Sequence, residues 1–201
     1  MKDDMADRRD HSRAALLRPF RRRTTAIVLH RTIGIDADKD GDADADDVFQ
    51  FFTRDPEGVA TVAVGGSYAS KGALIKSWRA AGIPAVYQGR GFCPYHVLVD
   101  ARGGVTLALD LAVVGAHAGA WNDRSVAVAV ISDPRTQQPT PAMVAAVVKV
   151  VALLLTHWPT ADIVDHDHVN ASIGAPHKGC IGELFPIASV VAAARAMAAR
   201  T

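Results

Sequence analysis

The stretch SVAVAVISDPRTQQPTPAMVAAVVKVVALLLTHWPTADIVDHDH, residues 125–168, reads as a strand, a helix and a second strand. Its first segment, SVAVAVIS, is apolar at nearly every position, which suits a strand covered on both faces rather than a half-exposed one. Thr140 then offers an N-cap oxygen, and Pro141 fills the first helical position, where a missing N–H costs nothing. The run that follows is apolar around almost its whole circumference, so the helix belongs against the sheet. ADIVDH supplies one more short strand, ending at His166.

The same alternation continues outward. YHVLVDARGGVTLAL, residues 95–109, is two apolar strands joined by a turn containing Gly103 and Gly104, a hairpin pattern in which Tyr95 starts the first strand and His96 points to the opposite face. TTAIVLH, residues 24–30, is a β-branched apolar run that places His30 at a strand exit, where side chains meet solvent and substrate. DDVFQFF (46–52) has the spacing of a short helix, GVATVAVGG (58–66) of a Gly-bounded strand, and SKGALIKSWRAAGI (70–83) of a helix stopped by Gly82 before Pro84. An Ala-rich helix within 183–200 closes the chain. These elements predict a single α/β domain with a mixed, mostly buried central β-sheet flanked by helices and no internal repeat.

Composition agrees with one core: 201 residues, 49% of them hydrophobic, with no Pro/Ser-rich linker. The net charge of +1 excludes a polyelectrolyte, but the charges are uneven. Residues 1–23 carry Lys2 and seven Arg against four Asp and form a basic, flexible arm ahead of the domain at 24–201. Arg8, Arg9, Arg13 and Arg18 interrupt any signal-peptide core, which predicts synthesis in the cytoplasm without a signal peptide. The apolar run at 142–155 contains Lys149 and falls short of the roughly 20 residues a transmembrane segment needs. Nucleic acid is not an expected partner, because the domain lacks a basic stripe interleaved with aromatics. Cys93 and Cys180 are too few for a disulfide framework; Cys93 reads as a small buried residue, a bridge between the two being the alternative.

His30, His166 and Cys180 fall at strand exits or in one loop. Neutral imidazole and thiolate are zinc ligands, and three protein ligands with a fourth position left for water make a catalytic centre rather than a structural one. Lys178 lies two residues before Cys180 and in an extended segment would point the same way, toward the developing charge of a tetrahedral intermediate. The hydroxyl of Tyr95 would face the same site from the sheet.

These motifs, with VGAHAGAWNDRSVAVAV (114–130) and DHDHV…HKGC (165–169, 177–180), run in an order that resembles the zinc-dependent N-acetylmuramoyl-L-alanine amidases of the phage-lysozyme type, whose fold is shared with the peptidoglycan recognition proteins. The resemblance spans about residues 25 to 190. It implies zinc on His30, His166 and Cys180, assistance to water and intermediate from Tyr95 and Lys178, and a substrate groove shaped by His117 and Asn122. The bond cut would join N-acetylmuramic acid to the L-Ala of the stem peptide, as in an endolysin or a wall-remodelling enzyme that reaches the cell wall after release or export. The alternative is a non-catalytic peptidoglycan-binding module of the same fold. Two departures leave rival ligands open: the family's His-Arg-Asp-Val is His166-Asp167-His168-Val169 here, which admits His168, and the following loop carries His177.

One motif is independent of this family. In DADKDGDADADD, residues 36–47, Asp36, Asp38 and Asp40 take positions 1, 3 and 5 of a calcium loop, Gly41 the sixth, Asp42 the seventh and Asp47 the twelfth. Ca²⁺ is therefore a second candidate ion beside Zn²⁺, with a solvated acidic loop as the alternative.

Overall fold

The seven buried positions of the central strand run Ser125–Ile131, and they are covered on both faces as their near-continuous apolarity predicts. In the computed structural model, which describes residues 24–32, 45, 48, 85–87, 93–112, 114–115, 117–174 and 179–200, this strand lies inside a six-stranded sheet. The strands are β1 (Ala26–Thr32), β2 (Ala85–Tyr87), β3 (Val97–Val99), β4 (Val105–Leu107), β5 (Ser125–Ile131) and β6 (Asp162–Asp165), in the spatial order β2-β4-β3-β5-β1-β6. Among the described residues β3 and β4 pair antiparallel and the other four ladders are parallel, so the sheet is mixed. Asp100 closes the β3–β4 turn by accepting from the N–H groups of Arg102 and Gly104, both at 2.8 Å. Gly103 adopts φ 82° there, a conformation that favours glycine.

Among the described residues the helices with both ends in view are α1 (Pro141–His157), α2 (His166–Ser172) and α3 (Ile187–Ala198), with a 3-10 helix at Gly119–Arg124 and helical backbone at Ala45 and Val48. Thr140 caps α1 by accepting from the Met143 N–H at 3.1 Å and ties the cap to the hairpin by donating to the Ala101 carbonyl. Met143, Val147, Val150, Val151 and Leu154 of α1 pack on Ile27 and Leu29 of β1, Val97 and Val99 of β3, and Val126, Val128 and Val130 of β5, with Val190 and Ala194 of α3 in the same cluster. Each of these larger aliphatics contributes roughly 1.5–3 kcal/mol by leaving water, so the main stability of the fold lies on this face of the sheet. No helix among the described residues is long and apolar enough to cross a membrane.

Three expectations are corrected. His30 is not at a strand exit: β1 continues through Arg31 and Thr32, which pair with Val130 and Ile131 of β5, and His30 is 1% exposed. Tyr95 does not start a strand, because β3 begins at Val97. The two-residue alternation therefore does not govern Tyr95 and His96, and both reach the cluster around His30. The three-residue β2 was not foreseen. The predicted strand at 58–66 and helix at 70–83 lie outside the described residues, as do all but Ala45 and Val48 of the acidic segment and the helix predicted after it.

Candidate metal centre

The face of the sheet away from α1 carries small residues beside the histidines. His30 stands opposite Ala129 in the β1–β5 register, and the methyl side chains of Ala127 and Ala129 leave volume for imidazole rings. Three such rings gather there. His117 lies perpendicular to His30 with ring centroids 5.1 Å apart, and His96 perpendicular to His117 at 5.6 Å. His96 Nδ1 accepts from the Ala127 N–H at 3.0 Å, just outside the β3–β5 ladder that starts at Val97 and Val128.

β6 delivers the second candidate ligand. Leu29 pairs with Asp165, so the next step along both strands sets His30 beside His166, with centroids 4.7 Å apart. Asp165 ends β6 and caps α2, its carboxylate accepting from the His168 N–H at 2.6 Å. That cap turns His166 inward as the first helical residue while His168 is exposed, its ring packed edge-on against Trp121 at 6.2 Å.

Cys180 arrives on a loop held by the chain neighbours of the two histidines. Arg31, next to His30, donates from Nε to the Gly179 carbonyl at 3.2 Å and pairs with Asp133 at 3.3 Å. Asp167, next to His166, accepts from the Gly179 N–H at 2.5 Å and from the Cys180 N–H at 3.2 Å. Gly182 completes the turn at φ 81°, where a Cβ would sit 2.4 Å from the Pro134 carbonyl carbon, so only glycine fits. The outcome is a cluster in which one donor atom each of His30, His166 and Cys180 lies within 4.8 Å of the others.

Zinc bonds of about 2.0–2.3 Å in tetrahedral geometry require ligand atoms roughly 3.3–3.8 Å apart. His30 Nδ1 and Cys180 Sγ are separated by 3.8 Å, so the pair fits with little movement. Protonation also suits a cation. Burial, then repulsion from His166 and His96, holds His30 well below the ordinary histidine range, and burial does the same for His117; both rings are neutral at neutral pH. Burial raises the Cys180 thiol, so an incoming ion must displace its proton. Burial first, then the neighbouring sulfurs of Cys180 and Cys93, raises the phenol of Tyr95, which stays a neutral donor with its ring 5.2 Å from that of His30.

Of the residues singled out from the sequence, the fold brings together His30, His166, Cys180, Tyr95 and His117. Asn122 stands one step back, its side-chain oxygen accepting from the N–H groups of His117 at 2.9 Å and Ala118 at 2.6 Å. Both cysteines are free, and Cys93 is buried with Leu98, Ala129 and Ile131, its thiol pushed up to about 12 by burial. Lys178, His177, Asp36, Asp38, Asp40, Asp42 and Asp47 lie outside the described residues. Sequence reading missed Arg31, His96, Ser125 and Asp167. The signal for Arg31 and Asp167 was their adjacency to a candidate ligand.

Residues 20–183 match the family of N-acetylmuramoyl-L-alanine amidases, a span that contains all three clustered donors. No curated protein sequence matches the chain significantly. Among solved structures, the chain is similar to an endolysin N-acetylmuramoyl-L-alanine amidase from Clostridium intestinale, with TM-score 0.54, 17% identity and coverage of 86% of this chain and 84% of that one. It is similar to an endolysin from a Thermus scotoductus bacteriophage, with TM-score 0.53, 18% identity and coverage of 86% and 85%. A crystal structure of AmpD gives TM-score 0.53, 16% identity and coverage of 88% and 87%. At these identities the likeness shows the fold.

Proposed function

Because this chain belongs to the N-acetylmuramoyl-L-alanine amidase family, we propose that it is a zinc hydrolase cutting the amide between N-acetylmuramic acid and the L-Ala of the peptidoglycan stem. It would act on the cell wall, as an endolysin or a remodelling enzyme, once released or exported. The observation that carries the reading is the convergence of two imidazoles and one thiol within 4.8 Å. Two nitrogens and a sulfur are a zinc donor set, and three protein ligands leave a position open for chemistry. Bound there, zinc supplies a Lewis acid and a way of making water nucleophilic at neutral pH.

The remaining work belongs to the protein. His30 presents Nδ1 toward Cys180 from a buried strand, so the donor is held in place before any ion arrives. Tyr95, kept as a phenol by burial, donates its hydroxyl proton to the oxygen that gains charge when the amide carbonyl is attacked. Lys178, two residues before Cys180 in the sequence, would add a positive charge to the same oxygen. Asn122, by gathering two backbone N–H groups, shapes the loop from His117 that forms one wall of the substrate groove.

The test pairs metal content with release of stem peptide from purified sacculi. Cys180→Ser is expected to lose both zinc and release, whereas Lys178→Ala keeps zinc and loses turnover. A wild type that carries one zinc and binds sacculi without releasing peptide would instead establish the non-catalytic binding module.

A further inference from the structure

His30 has two ring nitrogens, and each faces a different partner. Nδ1 lies 3.8 Å from Cys180 Sγ, and Nε2 lies 3.0 Å from His117 Nδ1. A neutral imidazole carries one N–H and one lone pair, so whichever nitrogen holds the proton decides whether Nδ1 can bind a cation.

The hydrogen bonds beyond His117 decide it from the far end. The Trp121 carbonyl can only accept, and Ser125 Oγ lies 2.6 Å from it, so the serine proton points there. Ser125 Oγ is then an acceptor toward His117 Nε2 at 3.5 Å, which places the His117 proton on Nε2. Ring nitrogen Nδ1 of His117 is left with its lone pair, and at 3.0 Å it accepts the proton of His30 Nε2. Nδ1 of His30 is thereby left bare, on the side of the sulfur. The hydrogen bonds run from His30 through His117 and Ser125 to Trp121, and their direction is set by a backbone carbonyl within the 3-10 helix.

We propose that His117 is a positioning residue that locks His30 in its Nε2–H tautomer and so presents the Nδ1 lone pair to the ion. His117 is suited to this, since Asn122 holds its backbone N–H at 2.9 Å, the residue is 7% exposed, and the ring of His96 packs perpendicular to its own. Its consequence for metal binding rests on the zinc reading above; the tautomer itself does not. Losing the hydrogen-bond partner behind a metal-binding histidine typically weakens affinity by about 10–100-fold.

Long-range ¹H–¹⁵N correlation on metal-free full-length protein reads the tautomer directly. His30 is expected to show a protonated Nε2 and an unprotonated Nδ1. His117→Leu removes the acceptor, and is expected to mix the two tautomers and weaken zinc by about 10–100-fold in a chelator competition. His117→Asn keeps an acceptor near the Nδ1 position and is expected to retain affinity within a few-fold of wild type. A protonated Nδ1 on wild-type His30, or wild-type zinc affinity in His117→Leu, would overturn the proposal. If wild type binds no zinc, the metal reading fails by itself while the spectrum still decides the tautomer, and it does so even where His117→Leu does not fold.

Discussion

The two faces of the sheet are built from alternate residues of the same strands and serve different ends. Toward α1, strand β1 presents Ile27 and Leu29, and β5 presents Val126, Val128 and Val130, all in one apolar cluster. On the other side β1 presents Ala26, Val28 and His30, and β5 presents Ala127 and Ala129. Because successive side chains of a strand point in opposite directions, one residue separates a position that contributes to packing from one that contributes a ligand. The lesson is that small residues on the second face matter as much as the histidines. Ala127 and Ala129 give up packing area on their strand, and the volume they leave is filled by three rings.

Neighbouring substitutions on β1 should separate the faces most sharply. Leu29→Ala is expected to cost about 2–5 kcal/mol of stability in a denaturant titration while folded protein keeps its zinc. His30→Ala should lose zinc and peptide release to background yet remain folded by circular dichroism. Similar losses of stability with intact metal in both would collapse the distinction.

Acid comes next in size. Unfolded histidine takes up a proton near pH 6.5, whereas folded His30 and His117, with their lowered values, refuse it. Stability of the metal-free protein should therefore be complete above about pH 6.5 and fall as pH drops below it, by up to about 1.4 kcal/mol per pH unit for each ring. In His30→Ala the slope should flatten, because one of the depressed rings is gone; an unchanged slope would place the acid sensitivity elsewhere.

The smallest expected effect concerns the loop. Asp167→Ala removes the acceptor shared by the Gly179 and Cys180 N–H groups and is expected to weaken zinc about tenfold in a chelator competition, leaving the denaturation midpoint of the apolar face in place. Wild-type affinity in that variant would show that Arg31 and Gly182 hold the loop alone.

Local pattern made much of this legible. The near-continuous apolarity of β5, the Thr140-Pro141 start of α1 and the Gly-bearing turn between β3 and β4 each follow from interactions within a few residues, and each is where it was expected. The three clustered donors were legible as candidates because imidazole and thiol are the donor types that zinc takes. Tyr95, His96 and the exit of β1 were misread for one reason: strand ends are set by the partner strand. Whether β1 stops at His30 depends on how far β5 extends alongside it, and whether Tyr95 and His96 alternate depends on where β3 meets Val128.

The amino-acid sequence alone determined the α/β class, the central strand and helix, and the small set of donors from which the clustered side chains come, because periodicity, capping and donor chemistry are properties of residues and their near neighbours. Tertiary structure decided that His30 is buried, that Arg31 and Asp167 hold the Cys180 loop from opposite sides, and that His117 stands behind His30 rather than elsewhere. Those are contacts between residues 87 to 150 positions apart in the cases of His117 and Cys180 with His30, and no local pattern specifies the orientation of a ring or the path of a hydrogen bond over that separation.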